Sequence, residues 1–241
     1  MRHLYLCAMQ KPQVIYRDLG RIDFAEAWDI QESLFDGIVA AKVARRKDEH
    51  APMPKNYLLN CEHDHVYTLG KSGKDQHLLV DEDALKRLGA SYYRINRGGD
   101  ITYHGPGQVV IYPLLDLDQF FTDIHKYLRY LEEAVIITLR DYGIEATRSK
   151  GETGVWLDVE KNPRKICAMG VRASRWVTMH GLALNVHPDL SYFSHIVPCG
   201  IQNKGVTSME KELGFAPSVG EVAEKVCRYL GELFEWDVEK K

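Results

Sequence analysis

The sequence predicts an α+β fold, a mixed, largely antiparallel sheet flanked by helices. Three observations carry that expectation. Three long stretches repeat their apolar residues every three or four positions, and a series of short apolar runs of strand length lies between them. The two kinds do not follow the regular strand–helix alternation of a doubly wound sheet. The 241 residues, 45% hydrophobic and 27% charged, can bury one large core, and a single domain over 1–241 is expected.

In chain order, 13–18 reads as a strand. In 23–46, Phe24, Trp28, Phe35 and Ile38 keep helical spacing. Lys42, Arg45, Arg46 and Lys47 put positive charge at the end where the helix dipole favours it. Pro52 and Pro54 make 48–56 a loop rather than a domain linker. Runs 57–61 and 65–69 are strands, 81–88 a short helix and 91–96 another strand. Arg97 to Gln108, with four glycines and a proline, is expected to form no regular element, and leads into a buried-looking strand at 108–115. In 121–142, Ile124, Leu128, Leu131, Val135, Leu139 and Tyr142 step by three or four, with Gly143 placed to cap the helix. Strands follow at 154–159, 165–173 and 178–187, the last two close enough to be an antiparallel hairpin. Ser218 and Glu221 form a capping-box pattern before Val222, Val226, Leu230 and Leu233 in a final helix, 218–234.

Several function classes are disfavoured. With 31 Lys and Arg against 34 Asp and Glu the formal charge is −3, against coating of nucleic acid by a basic surface. Cys7, Cys61, Cys167, Cys199 and Cys227 are odd in number and scattered, which fits free thiols in a reducing compartment. The apolar run Leu4–Met9 is too short for an export signal, and nothing approaches the roughly 20 apolar residues that span a bilayer, so a cytoplasmic protein without membrane attachment is expected. Gly70-Lys71-Ser72 ends like a phosphate-binding loop, but the glycine needed five positions before Gly70 is His65. Gly105-Pro106-Gly107 would need its third fingerprint glycine at Val110. His63-Asp64-His65 lacks a third ligand at metal-site spacing and reads as polar strand residues. No ATP, nicotinamide or metal is required.

Chemistry concentrates elsewhere. In Arg97–Gln108, glycines that bring backbone N–H groups close to a ligand stand beside Arg97, Thr102 and His104, which suggests a substrate-binding lip. Residues 161–188 carry Lys161, Arg164, Lys165, Arg172 and Arg175 and no carboxylate, a stretch of +5 that leaves −8 for the rest of the chain. Such a cationic face suits an acidic partner. Cys61, Cys167 and Cys227 lie in apolar patterns and read as packing residues. Cys199, between Pro198 and Gly200, stands at a turn where a thiol can meet a cleft. Lys165, His180, His195 and His104 are all candidates to favour its thiolate.

The segments RGGDITYHGPGQ, KICAMGVRASRWVTMHGLALNV and IVPCGI, with TLGKSGK and GETGVW, resemble the lipoyl(octanoyl) transferases, colinearly from about Tyr57 to Ser208. The resemblance implies the biotin/lipoate protein ligase catalytic-domain fold and transfer of an octanoyl group from acyl carrier protein to a lysine of lipoyl domains. The implied acceptors are 2-oxoacid dehydrogenase E2 subunits and the glycine cleavage H protein. A monomer without cofactor or metal is expected. On the matching positions, Cys199 is the nucleophile that carries the acyl thioester, and Lys165 is the residue that lowers its pKa and exchanges protons with it. The substrate-binding positions are Arg97, Gly98, Gly99, Asp100, Ile101, Thr102, Tyr103 and His104, with Ala168, Met169, Gly170, Gly181, Leu182 and Ala183. Backbone N–H groups near Gly170 and Gly181 are the expected oxyanion donors. The alternatives are an ATP-dependent lipoate or biotin protein ligase, an amidotransferase between lipoyl domains, a Cys–His thiol hydrolase with His195 or His180 as base, and a non-catalytic module that binds carrier protein or lipoyl domains.

Overall fold

The computed structural model describes residues 11–197 and 204–240. In order these form β1 (Gln13–Ile22), α1 (Phe24–Lys47), β2 (Asn56–His63), β3 (Val66–Leu69), α2 (Glu82–Leu88), β4 (Ser91–Arg94), β5 (Ile101–His104) and β6 (Gln108–Leu114). Then follow α3 (Ile124–Asp141), β7 (Thr147–Ser149), β8 (Glu152–Leu157), β9 (Arg164–Ser174), β10 (Val177–Asn185), β11 (Gly205–Val206), α4 (Met209–Leu213), α5 (Val219–Phe234) and β12 (Asp237–Lys240).

The large sheet runs β12-β1-β2-β6-β10-β9-β8-β7, with β11 also on β9, and a small sheet runs β4-β3-β5. β1 lies parallel to β12 and β2, and β11 parallel to β9. The ladders from β2 through β6, β10, β9 and β8 to β7 are antiparallel, so the sheet is mixed and largely antiparallel, as the sequence predicts. Each predicted helix is present. Asp23 caps α1 by accepting from the N–H groups of Ala25 and Glu26, and Ser218 caps α5 by accepting from Glu221 N–H.

Strand alternation divides the core. On one face Val109, Ile111, Leu182 and Leu184 meet the apolar stripes of α3 and α5. On the other, Val110, Tyr112, Leu114, Met179 and Ala183 pack under Phe35 and Ile38 of α1. β6 and β10 are buried along their whole length, and so read as continuous apolar runs. The predicted hairpin is β9–β10. Arg175 and Trp176 at its tip have φ of 52° and 63°, the type I′ pattern that matches strand twist.

One expectation is corrected. The glycine-rich stretch 97–108 does contain a regular element, β5, antiparallel to β3. Its glycines lie outside the Ile101–His104 core, whose β-branched and aromatic residues favour a strand. β7, β11, β12 and α4 are further elements that the sequence reading lacks. Among the described residues no helix is long and apolar enough to cross a membrane.

Candidate active site

A cavity of about 570 Å³ opens beside β8, β9 and β10, facing the segment that precedes β5. Lys165 and every sequence-predicted substrate-binding position line it: 97–104, 168–170 and 181–183. Cys199 lies outside the described residues, as does Cys7. At ~3.3 Å per residue, Lys165 and Val171 of β9 are ~20 Å apart, so the cavity has the length to hold an extended chain along the strand.

The glycines are there to let backbones meet. Gly98 N–H donates to the Val171 carbonyl at 2.9 Å. A Cβ on Gly170 would stand 2.8 Å from the Gly98 oxygen and 3.0 Å from Arg97 Cδ, so any other residue would push this segment off β9. The buried Arg97 guanidinium donates to the Thr68 carbonyl and hydroxyl, at 2.6 and 2.9 Å, and to the Gly98 carbonyl at 3.0 Å. The Gly70-Lys71-Ser72 segment braces the loop: its three N–H groups donate to the carbonyls of Asp100, Arg97 and Gly99. The Asp100 carboxylate is 2.7 Å from His77 Nδ1 and accepts the Ile101 N–H. Alternation along β5 sends Ile101 and Tyr103 into the core of the small sheet, leaving Thr102 and His104 on the other face.

Val171 gives its carbonyl to Gly98, so its N–H also points away from the β9–β10 ladder, since one strand residue aims both groups the same way. The directly opposed Gly170 and Gly181 therefore face each other within the ladder, and their amides are consumed. The outward amides of β9 on either side of Gly170 are those of Met169 and Val171, which shifts the oxyanion expectation by one residue.

Three imidazoles lie close by. His104 Nδ1 is 3.3 Å from Gln108 Oε1, Gln108 donates to Asn185 at 2.8 Å, and Asn185 donates to the Thr207 carbonyl at 2.9 Å. His63 bridges the Ile22 carbonyl and the Tyr112 hydroxyl, whereas His65 lies in the turn after β2 and meets Tyr103. Burial, then the Arg97 and Arg172 cations, holds His180 down at about 3. Burial also depresses His104, well below the ordinary value, and His63. These rings stay neutral in the fold while the unfolded chain protonates near 6.5. The unfolded state then binds more protons, so stability is full above about pH 6.5 and falls as pH drops from there towards 3. The expected result is a Tm that declines between about pH 7 and pH 5. His180 has a φ of 59°, a conformation asparagine tolerates, so H180N should flatten that decline, and an unaltered slope would count against the assignment.

Lys165 Nζ rests 4.5 Å from the centre of the Trp156 ring. Lys204 Nζ shares that indole at 5.0 Å and pairs with the Glu152 carboxylate at 2.5 Å. Among the described residues, no carboxylate forms an ion pair with Lys165. Burial pushes the Cys61 and Cys167 thiols up, so neither serves as a thiolate at neutral pH. The predicted cationic stretch is less uniform than its composition: Arg164 is held by Glu212 and Arg172 by Glu32, each at 3.0 Å. Glu152, Trp156 and Lys204 are site residues that sequence reasoning missed. The GETGVW segment, which holds two of them, is the signal that pointed there.

The description "lipoyl protein ligase A/B catalytic domain" fits residues 23–231 of this chain. The octanoyltransferase of Cytophaga hutchinsonii is 58% identical over 231 residues, covering 94% of each chain. That of Christiangramia forsetii is 59% identical over 225 residues, 92% of this chain and 96% of its own. Among solved structures, lipoate-protein ligase A bound with ATP superposes with a TM-score of 0.67 at 19% identity, covering 96% of this chain and 89% of its own. A bipartite lipoate protein ligase from Thermoplasma acidophilum also gives 0.67 at 19% identity, covering 96% of this chain and 87% of its own. At that identity the likeness speaks for the fold.

Proposed function

The chain belongs to the lipoyl protein ligase A/B catalytic-domain family and is an acyltransferase of its octanoyltransferase branch, and from that premise we propose that it takes an octanoyl group from octanoyl-acyl carrier protein, holds it as a thioester on Cys199 and passes it to a lysine of a lipoyl domain. The acceptors proposed are the lipoyl domains of 2-oxoacid dehydrogenase E2 subunits and the glycine cleavage H protein. The chain is read as a single cytoplasmic catalytic domain.

The supporting observation is Lys165, an ammonium on the wall of a cavity it shares with the glycine segment, in contact with an indole and without a carboxylate partner among the described residues. Such a group favours a nearby thiolate by opposite charge and can give up a proton. In the first step the Cys199 thiolate adds to the donor thioester carbonyl. The tetrahedral species expels the carrier's thiol sulfur, which takes its proton from Lys165. One thioester replaces another, so the step is close to thermoneutral. In the second, the neutral ε-amine of the acceptor lysine adds to the enzyme thioester, Cys199 leaves as thiolate and the amine proton returns to Lys165. An amide forms from a thioester, which runs downhill without ATP.

The outward amide of Met169, the nearer of the two to Lys165 along β9, is the donor proposed for the oxyanion in both steps, contributing about 3 kcal/mol to the transition state. Burying the acyl chain gains roughly 0.8 kcal/mol per CH₂, so a closed apolar cavity favours medium chains. The test is to weigh the intact protein after incubation with octanoyl carrier protein. The expected adduct is one octanoyl group, removed by hydroxylamine and transferred on addition of lipoyl domain. A folded C199A variant should gain none; an unchanged adduct in C199A, or none in the wild type with verified substrate, refutes the thioester route.

A further inference from the structure

We propose that Lys204 is a positioning residue for Lys165: it occupies the Glu152 carboxylate, which would otherwise capture the Lys165 ammonium and remove it from proton transfer. This role presupposes Lys165 as the acid/base group of the reaction above.

The geometry is that of two lysines and one carboxylate around a gap in β8. Val155 and Leu157 enter the core, so alternation puts Glu152, Gly154 and Trp156 together on the other face. A Cβ on Gly154 would stand 3.5 Å from Lys165 Cε, so the lysine stem crosses β8 at the position that lacks a side chain. Glu152 lies to one side of that crossing and Trp156 to the other. The ammonium rests on the indole. A charge-assisted hydrogen bond to a carboxylate is ordinarily the stronger contact at a half-buried site, so the preference needs a cause.

Lys204 supplies it. Its Nζ is 2.5 Å from Glu152 Oε2, which also accepts from the Ser149 hydroxyl at 2.8 Å. The side chains are only 27% and 19% exposed, so water does not readily replace either partner. Burial raises the Glu152 carboxyl, but the bonds from Lys204 and Ser149, with the nearby Lys165 charge, outweigh it and keep the group below its ordinary range. Neighbouring charges are engaged elsewhere. Arg164 on β9 binds Glu212 of α4, and Glu132 of α3 is held by Arg148, Arg129 and the Gly154 N–H. Cys167 on β9 is a buried thiol.

The test is a double-mutant cycle with octanoyl carrier protein as donor and a lipoyl domain as acceptor, read as the single-turnover transfer rate. K204M should slow transfer about tenfold, K204R should stay within about threefold of wild type, and K204M/E152Q should regain most of the loss, because the competing carboxylate is gone. Circular dichroism melts confirm that each variant is folded. Wild-type-like transfer by K204M overturns the proposal. So does a loss that E152Q does not relieve, since a simple strut would stay broken in the double variant. If the wild type transfers nothing, the acyltransfer route itself fails, a result distinct from either.

Discussion

Replacing Lys165 by methionine is expected to lower kcat for octanoyl transfer by about 10³-fold while leaving the fold intact, within the 10²–10⁴ range of a general acid/base group. Methionine keeps much of the lysine stem's bulk and removes only the charge and the exchangeable proton. The Nζ makes no ion pair among the described residues, so the melting temperature should hardly move. Lys165→Arg separates the two duties. Arginine holds its proton too tightly to release it, yet still favours a thiolate nearby. K165R should therefore keep the pH dependence of Cys199 alkylation by iodoacetamide near that of the wild type, whereas K165M should move it upward. Both should transfer slowly. A K165M enzyme within threefold of wild type would remove Lys165 from the mechanism.

Gly181→Ala should act on stability instead. Gly181 sits in the buried strand β10, and a Cβ there would overlap the Ile111 carbonyl oxygen and lie 2.8 Å from Pro113 Cδ. Both obstacles belong to β6, which is buried along its length and has no room to retreat. Overpacking of that kind costs about 3 kcal/mol. For a chain of this length that is roughly a 10 °C fall in Tm. Gly220→Ala in the first turn of α5, where the nearest atom would be 3.8 Å away, is the matched control and should be near neutral. Urea denaturation measures both. A loss under 1 kcal/mol for G181A would mean that β6 and β10 can separate more easily than their packing indicates.

Gly181 also illustrates what the sequence could and could not say. Its place in HGLALN marked it as a site residue, and it does line the cavity. The physical demand on it is the neighbouring β6 backbone, which is invisible until strands are paired. Helices α1, α3 and α5 were legible because each carries its own periodic stripe. β10 and β6 were legible because burial on both faces leaves a continuous apolar run. β11, with two residues, and β12, held by a parallel partner more than 200 positions away, have no local signature. β5 was hidden by the glycines around it. Glu152 and Lys204 were ordinary charged residues in the sequence. Only folding brings them to one indole, 52 positions apart. The composition of 161–188 misled in the opposite sense: a run of cations says nothing about the glutamates that fold back on Arg164 and Arg172.

The pairing of β12 with β1 also sets the order of events during synthesis. β1 is synthesised more than 200 residues before β12, the strand that covers its outer edge. Until then a row of backbone donors and acceptors stays bare, which is the kind of edge that recruits strands from other chains. Loop closure over more than 200 residues is slow, so the sheet that carries the cavity can assemble around β6, β9 and β10 well before its border is sealed. The nascent protein is thus exposed to aggregation at the border opposite its chemistry, and damage to β12 would be felt as lost yield more than as lost turnover.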